Sequence, residues 1–506
     1  MPASNRAASR SHPRTALRVA VLADSDTRWK WGALTARRLA TEPHLTGFLL
    51  RGRATPTARQ LGEVGVRADR LSEVTCAQFL AEIEREKYDV VVLALVGGAV
   101  QAVLHGVRAL WPEPAERPVL VTGYVGVVYE KLADGLLLRH GADLVLANSR
   151  YDAGRFRAVY EGVGADAAAV TETALPFLDG AAYEKAGAGA HTVVFAVQPS
   201  VPESRADRAY LLERAARHAR LHPEREVLIK LRSRPGEHTT HLEEQPYQRL
   251  AERIPGGLPA NCRLVYGNMG EVLDGTDLLV TVSSTAALES LHRGIPTAVL
   301  TDLGIREVLG NHHFLGSGCL ASWDQLDAGL LPQGDPHWLA DQGVIGAGAA
   351  DGADAAAVAA AAVAAAAVAA AAVADAAAAV ADAAAAVADA AAAVAAAAGT
   401  AAADAAAPGD PFAAARARLG ELLDRPVLPA VAPYYTQVTA PGYLPGILAR
   451  HHLAPDGTPL PGAVREGGGE SRLRRWLRSH LREAARGAYR HGVQRVAPMI
   501  RRMGEL

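Results

Sequence analysis

Residues 277–302 read DLLVTVSSTAALESLHRGIPTAVLTD, and the fold turns on how they alternate. The apolar run Leu278–Val282 ends in Ser283-Ser284-Thr285. A helical segment passes through Glu289 to Gly294 and Pro296, and a second apolar run, Thr297–Leu300, follows. Short continuous apolar runs suit parallel strands buried on both faces, and glycine followed by proline stops a helix. The segment is therefore expected as strand, hydroxyl-rich turn, helix, turn, strand. Such a turn presents free backbone N–H groups and small hydroxyls at a helix N-terminus, where the dipole favours an anion. Ser or Thr there also caps the helix. Glu289 falls about one turn further in, on the face that can look back toward the same pocket. An anion cradle with a carboxylate one turn away suits a nucleotide, with phosphate on the N–H groups and ribose hydroxyls on the carboxylate.

The alternation continues outward. Upstream lie apolar runs at Val193–Val197, Val227–Leu231 and Arg263–Tyr266, with helical segments Ala206–Leu221 and Leu242–Arg253 between them. Further upstream come runs at Leu17–Ala23, Thr46–Leu50, Val90–Leu95, Val119–Thr122 and Leu144–Ala147, with helices expected at Trp29–Ala40, Cys76–Glu86 and Tyr129–His140. A Gly-, Ala- and Pro-rich stretch, Ala174–Ala190, separates the two series as a linker. The fold class is α/β: two Rossmann-like doubly wound domains, residues 17–180 and 191–345, facing a cleft, with ligands at the carboxyl ends of the strands.

The flanks differ in composition. Residues 1–16 are polar, and the apolar run behind them is too short for a signal peptide, so a disordered leader is expected. Residues 346–407 are nearly pure Ala, Val and Asp, with valines every five residues from Val358 to Val373 and then every seven to Val394. Alanine favours helix, and the stretch reads as a low-complexity helical insert rather than a membrane span, because it has no Leu, Ile or Phe. Residues 408–465 return to mixed composition and are expected to pack on the domains. After a Gly-rich hinge, the Arg-rich segment Ser471–Met503 within 466–506 reads as a basic amphipathic helix suited either to an anionic membrane surface or to packing across the domains. The formal net charge of -2 gives no global case for nucleic acid. Cys76, Cys262 and Cys319 form no CxxC pair, which argues against a disulfide scaffold or a cysteine-built zinc site and fits a reducing cytoplasm.

Three further patterns carry candidate chemistry. Lys230-Leu231-Arg232 closes a strand, and alternation puts Lys230 and Arg232 on one side, where cations neutralise a diphosphate. His238 and His241 follow in the same loop as candidate phosphate contacts or general acids. The first strand ends in Asp24-Ser25-Asp26; one of these carboxylates is a candidate base for an acceptor hydroxyl, and Asp26 is also a candidate helix cap. Gly123-Tyr124-Val125-Gly126 is expected at the cleft and Asn148-Ser149 as a cap. Asn311-His312-His313 has no partner at metal-ligand spacing. Neither a metal nor a cofactor is expected.

The run Ser284-Thr285-x-x-x-Glu289-x-x-x-x-Gly294-x-Pro296 resembles the donor-binding segment of GT-B glycosyltransferases, and Ser283-Ser284-Thr285 resembles the serine motif of bacterial sialyltransferases. Over Leu17–Leu320 the chain is similar to glycosyltransferases of high-GC Gram-positive bacteria, through DSDTRWKWG (24–32), KLRSRPGEHTTHLEEQPY (230–247) and SSTAALESLHRGIPTAVLTDLG (283–304). The resemblance implies a nucleotide-sugar donor held by Ser283, Ser284, Thr285 and Glu289, assisted by Lys230 and Arg232. It implies a glycan or lipid-linked acceptor of the cell envelope, and an enzyme in the cytoplasm or at the inner membrane face. A nucleotide-sugar epimerase of the same shape, or a non-catalytic nucleotide-sugar-binding or envelope scaffold protein, are the alternative readings.

Overall fold

A computed structural model describes residues 16–127, 132–184, 191–234, 237, 243, 245–344 and 410–463. In its N-terminal half, apolar runs become strands and the segments between them helices: β1 (Arg18–Ala23), α1 (Asp26–Leu39), β2 (His44–Leu50), α2 (Ala58–Val64), β3 (Arg70–Val74), α3 (Cys76–Arg85), β4 (Val90–Ala94), α4 (Gly97–Leu110), β5 (Val119–Gly123), α5 (Leu132–Leu137), β6 (Leu144–Ala147), α6 (Arg150–Gly162) and β7 (Val170–Glu172). All seven strands are parallel, in the order β3-β2-β1-β4-β5-β6-β7. β4, β5 and β6 are buried at every residue, which is why their sequences are almost wholly apolar, Thr122 excepted, whose hydroxyl donates to the Leu93 carbonyl. Edge strand β3 is mostly exposed and polar, and its sequence carries no comparable signal. Helix α1 lies tight on the sheet: a Cβ on Gly32 would stand 2.7 Å from Val21 Cγ1 and 2.9 Å from the Ala94 Cβ.

The second half repeats the plan with β8 (His191–Ala196), α7 (Arg205–Leu221), β9 (Arg225–Lys230), α8 (Tyr247–Ala251), β10 (Cys262–Val265), α9 (Met269–Leu273), β11 (Leu278–Thr281), α10 (Ala286–His292), β12 (Thr297–Leu300), β13 (Leu320–Ala321), α11 (Trp323–Asp327) and α12 (Pro336–Asp341). Its parallel order is β10-β9-β8-β11-β12-β13. Both sheets thus follow the doubly wound 3-2-1-4-5-6 order, and the two Rossmann-like domains form the GT-B arrangement. Helices α13 (Ala413–Leu423) and α14 (Leu444–Arg450) return to the N-terminal domain, α13 against β5, β6 and β7 and α14 against α4.

Several expectations are corrected. The helix expected over Leu242–Arg253 is only Tyr247–Ala251, and the one over Tyr129–His140 is described as Leu132–Leu137. Ala174, Leu175, Phe177 and Leu178, expected in a linker, are buried in a core shared by both domains, because their side chains are too apolar to leave in water. Ser25, not Asp26, caps α1, accepting from Arg28 N at 3.4 Å. The three cysteines are buried and unpaired. The leader, the alanine tract and the basic segment lie outside the described residues. Among the described residues, no helix is long and apolar enough to cross a membrane.

Candidate active site between the two domains

In each sheet the strand order reverses, between β1 and β4 and between β8 and β11, and a crevice opens at the carboxyl ends beside such reversals. The two crevices face one another and enclose a cavity of about 830 Å³. The C-terminal domain contributes Gln198, Lys230, Arg232, Ser283–Thr285 and Glu289 to its wall; the N-terminal domain contributes Asp26, Thr27, Lys30, Gln60 and Tyr124, and Phe177 comes from the connection. Seven of the ten candidate side chains therefore meet at one cavity. Asp24 is not among its lining residues: its carboxylate accepts from Val96 N (3.0 Å), at the start of α4, and from Arg28 Nη1 (2.9 Å). His238 and His241 lie outside the described residues.

Lys230 is the last residue of β9, and its neighbour Leu231 turns into the core while Arg232 turns to the cavity. The Lys230 ammonium is buried and donates to the Leu231 carbonyl at 2.8 Å. Among the described residues no carboxylate lies within ion-pair distance of it. Burial pushes its pKa down to about 8; the charges of Glu63 and Glu289 pull the other way, and those of Arg232 and Arg59 add to the fall. Arg232 Nη2 donates across the cavity to Asp26 Oδ1 at 2.9 Å and also meets the Thr27 hydroxyl. Glu289 is buried at 9% exposure, and burial pushes its pKa up against the pull of Lys30, whose Nζ is 3.5 Å from Oε2. The same ammonium sits over the Phe177 ring, 5.0 Å from its centroid.

The serine turn differs from its expectation. Ser283 N–H donates to Gln198 Oε1 (3.0 Å), Ser284 N–H to Thr281 Oγ1 (3.2 Å) and Ala286 N–H to Ser284 Oγ (3.2 Å). Ser283 Oγ donates to the Leu309 carbonyl at 2.6 Å. Local and cross-strand side chains have thus taken the N–H groups expected to hold an anion. Among the described residues, the Thr285 N–H and hydroxyl keep no protein partner. The hydroxyl lies beneath the N-terminal domain's loop, where a Cβ on Gly126 would approach it to 2.8 Å. Tyr124 and Val125 of that loop line the cavity, and Ser149 caps α6, accepting from Asp152 N at 3.0 Å. Asn311 instead braces its own loop, donating to Leu300 O and Gly304 O, and His313 packs beside Trp338, outside the cavity lining.

The family described as "Putative glycosyltransferase (DUF6716)" matches residues 19–359. The chain belongs to that family. Its match spans both Rossmann-like domains and every cavity residue named above. No curated protein matches the chain in sequence. Among solved structures, the Staphylococcus aureus MnaA–UDP complex is similar at 12% identity and TM-score 0.44, over 66% of this chain and 93% of that one. The Neisseria meningitidis UDP-GlcNAc 2-epimerase bound to UDP-GlcNAc is similar at 10% identity and TM-score 0.41, over 65% and 95%. The spinosyn rhamnosyltransferase SpnG is similar at 14% identity and TM-score 0.35, over 64% and 90%.

Sequence reasoning missed Lys30, Gln198, Thr27 and Phe177. Lys30 stands four residues after Asp26, so the helical period alone places both on one face of α1. Gln198 follows β8, where the strand-order reversal would have pointed had the topology been known. A second titratable cluster, His218, His222 and Asp327, stands at the far end of α7, where Asp327 Oδ1 and backbone O take His218 Nδ1 (2.7 Å) and His222 Nε2 (3.1 Å). Arg225 Nη1 lies 3.2 Å from His218 Nε2, so both ring nitrogens of that histidine already have protein partners.

Proposed function

We propose that this member of the family transfers a sugar from a nucleotide-sugar donor, bound in the C-terminal half of the cavity, to an acceptor hydroxyl entering from the N-terminal half. The observation that carries this reading is Lys230: a buried ammonium at a strand's carboxyl end, facing an interdomain cavity, with no carboxylate in contact with it among the described residues and only the more distant charges of Glu63 and Glu289 to offset it. A buried cation without a contacting counterion is costly, and a phosphate lowers the cost. Arg232 adds a second cation for the diphosphate, Thr285 offers it an N–H and a hydroxyl, and Glu289 accepts from the ribose hydroxyls. The acceptor oxygen attacks the anomeric carbon and its proton passes to the Asp26 carboxylate. The bond from that carbon to the diphosphate breaks, with the electron pair leaving on the diphosphate oxygen. Lys230 and Arg232 neutralise the charge that develops there, the task a metal ion performs in other transferases. The acceptor belongs to the envelope glycan or lipid-linked class, and the Arg-rich sequence of residues 471–503 suits an anionic membrane face.

A thermal-shift screen with UDP, GDP, CDP and CMP compounds tests the reading. One nucleotide should raise the melting temperature of the wild-type chain, by an amount equivalent to about 2.7 kcal/mol at a hundredfold excess over Kd. Glu289→Gln and Lys230→Met should lose most of that shift. Asp26→Asn should keep at least that shift and lose transfer, and transfer by the wild type should survive a chelator. No shift with any nucleotide, or donor conversion without an acceptor and without release of sugar, overturns the proposal.

A further inference from the structure

Two ion pairs of opposite polarity cross the cavity from one helix. Asp26 Oδ1 holds Arg232 Nη2 at 2.9 Å, with the Thr27 hydroxyl on the same nitrogen, and Lys30 Nζ stands 3.5 Å from Glu289 Oε2. Asp26 and Lys30 are four residues apart on α1 and so share a face. That face offers the opposite domain an anion for its guanidinium and an N–H donor for its buried carboxylate. A nucleotide would offer the same two residues a phosphate oxygen and ribose O–H donors.

The geometry points to α1 as a built-in stand-in for the nucleotide: Asp26 occupies the phosphate-binding Arg232 and Lys30 the ribose-binding Glu289, and the donor enters by displacing both. This rests on the roles given to Arg232 and Glu289 above. Asp26 Oδ1 is occupied by the guanidinium until a phosphate draws Arg232 away. Donor binding thus frees Oδ1 for the acceptor's proton, which favours a donor-first order.

Displacement makes an unusual prediction, because removing a charged residue from the site should tighten binding. Calorimetric titration of the full chain with UDP and with inorganic pyrophosphate reads it directly. Asp26→Asn should bind both about two- to fivefold more tightly than wild type, the range released by a partly exposed ion pair. Thr27→Val, which removes the other partner of Arg232 without touching a charge, should move both the same way by less. Lys30→Met should tighten UDP but not pyrophosphate, since only UDP carries a ribose for Glu289. Circular dichroism melts confirm that each variant is folded. Equal or weaker UDP binding by Asp26→Asn and Thr27→Val overturns the displacement while leaving the transferase reading intact. Failure of UDP, GDP and CDP to bind the wild type and all three variants overturns both.

Discussion

Lys230 shows what a single residue inherits from its place in a strand. Its position at the end of an apolar run, two before Arg232, already marks both as candidates for one cavity, because side chains alternate along a strand. Burial then sets its acid–base behaviour. The free side chain holds its proton below a pH of about 8, and a bound phosphate favours the ammonium and raises that value. The bound state therefore keeps the proton at pH values where the free state has lost it, and affinity must fall as pH rises through the window above about 8. Nucleotide affinity measured by calorimetry should be level below about pH 7 and weaken above 8. Lys230→Met should bind at least tenfold less tightly, from the loss of a charge-assisted hydrogen bond worth about 1.5–3 kcal/mol, and its curve should lose this slope. Glu289 was legible from the motif spacing. The helical period puts Lys30 on the face of Asp26, but nothing local announces its partner, which lies 259 residues away in the chain.

The element that organises the C-terminal site is the turn from β11 into α10. Its strand–turn–helix–strand order follows from the apolar runs and from Gly294, whose φ of +75° ends the helix in the left-handed region. The use of its N–H groups does not follow, since the side chain that takes Ser283 N–H belongs to Gln198, 85 residues earlier at the end of β8. Only the parallel pairing of β11 with β8 brings the two together. The turn thus divides its hydroxyls between two tasks. Ser283, 1% exposed, ties the loop at Leu309 to the sheet, and Thr285 faces the cavity. Ser283→Ala should cost about 1–3 kcal/mol in denaturant unfolding, because it strands the Leu309 carbonyl and the Gln198 amide. Thr285→Val, of equal volume, should stay within about 0.5 kcal/mol of wild type and instead weaken nucleotide binding. The reverse pattern would assign the anion to Ser283.

At the scale of the whole molecule, the chain crosses from one domain to the other and then comes back. Residues 410–463 lie on the N-terminal domain, and Arg117 fastens them there. Its guanidinium pairs with Asp143 (2.7 and 2.9 Å) and donates to the Pro429 carbonyl (3.1 and 2.8 Å), with the arginine side chain 1% exposed. Arg117→Met leaves Asp143 buried without its cation and should cost about 3–5 kcal/mol. Thermal melts should register this loss, and limited proteolysis should show 410–463 released while the C-terminal domain stays protected. Two doubly wound domains were readable from the sequence alone, because buried parallel strands must be mostly apolar and the helices between them periodic, and both are local properties. The polar edge strand β3 and the fate of Ala174–Leu178 were not, since an edge needs no apolar run and a short apolar segment does not say which surface will cover it. The amino-acid order by itself determined the fold class and the carboxyl-end location of Lys230, Arg232 and Glu289. Tertiary structure alone decided that Asp24 braces α4 while Asp26 reaches the cavity, and that α1 neutralises the opposite domain's charges. Those outcomes depend on two domains meeting across a gap, and no spacing along one chain encodes the distance between them.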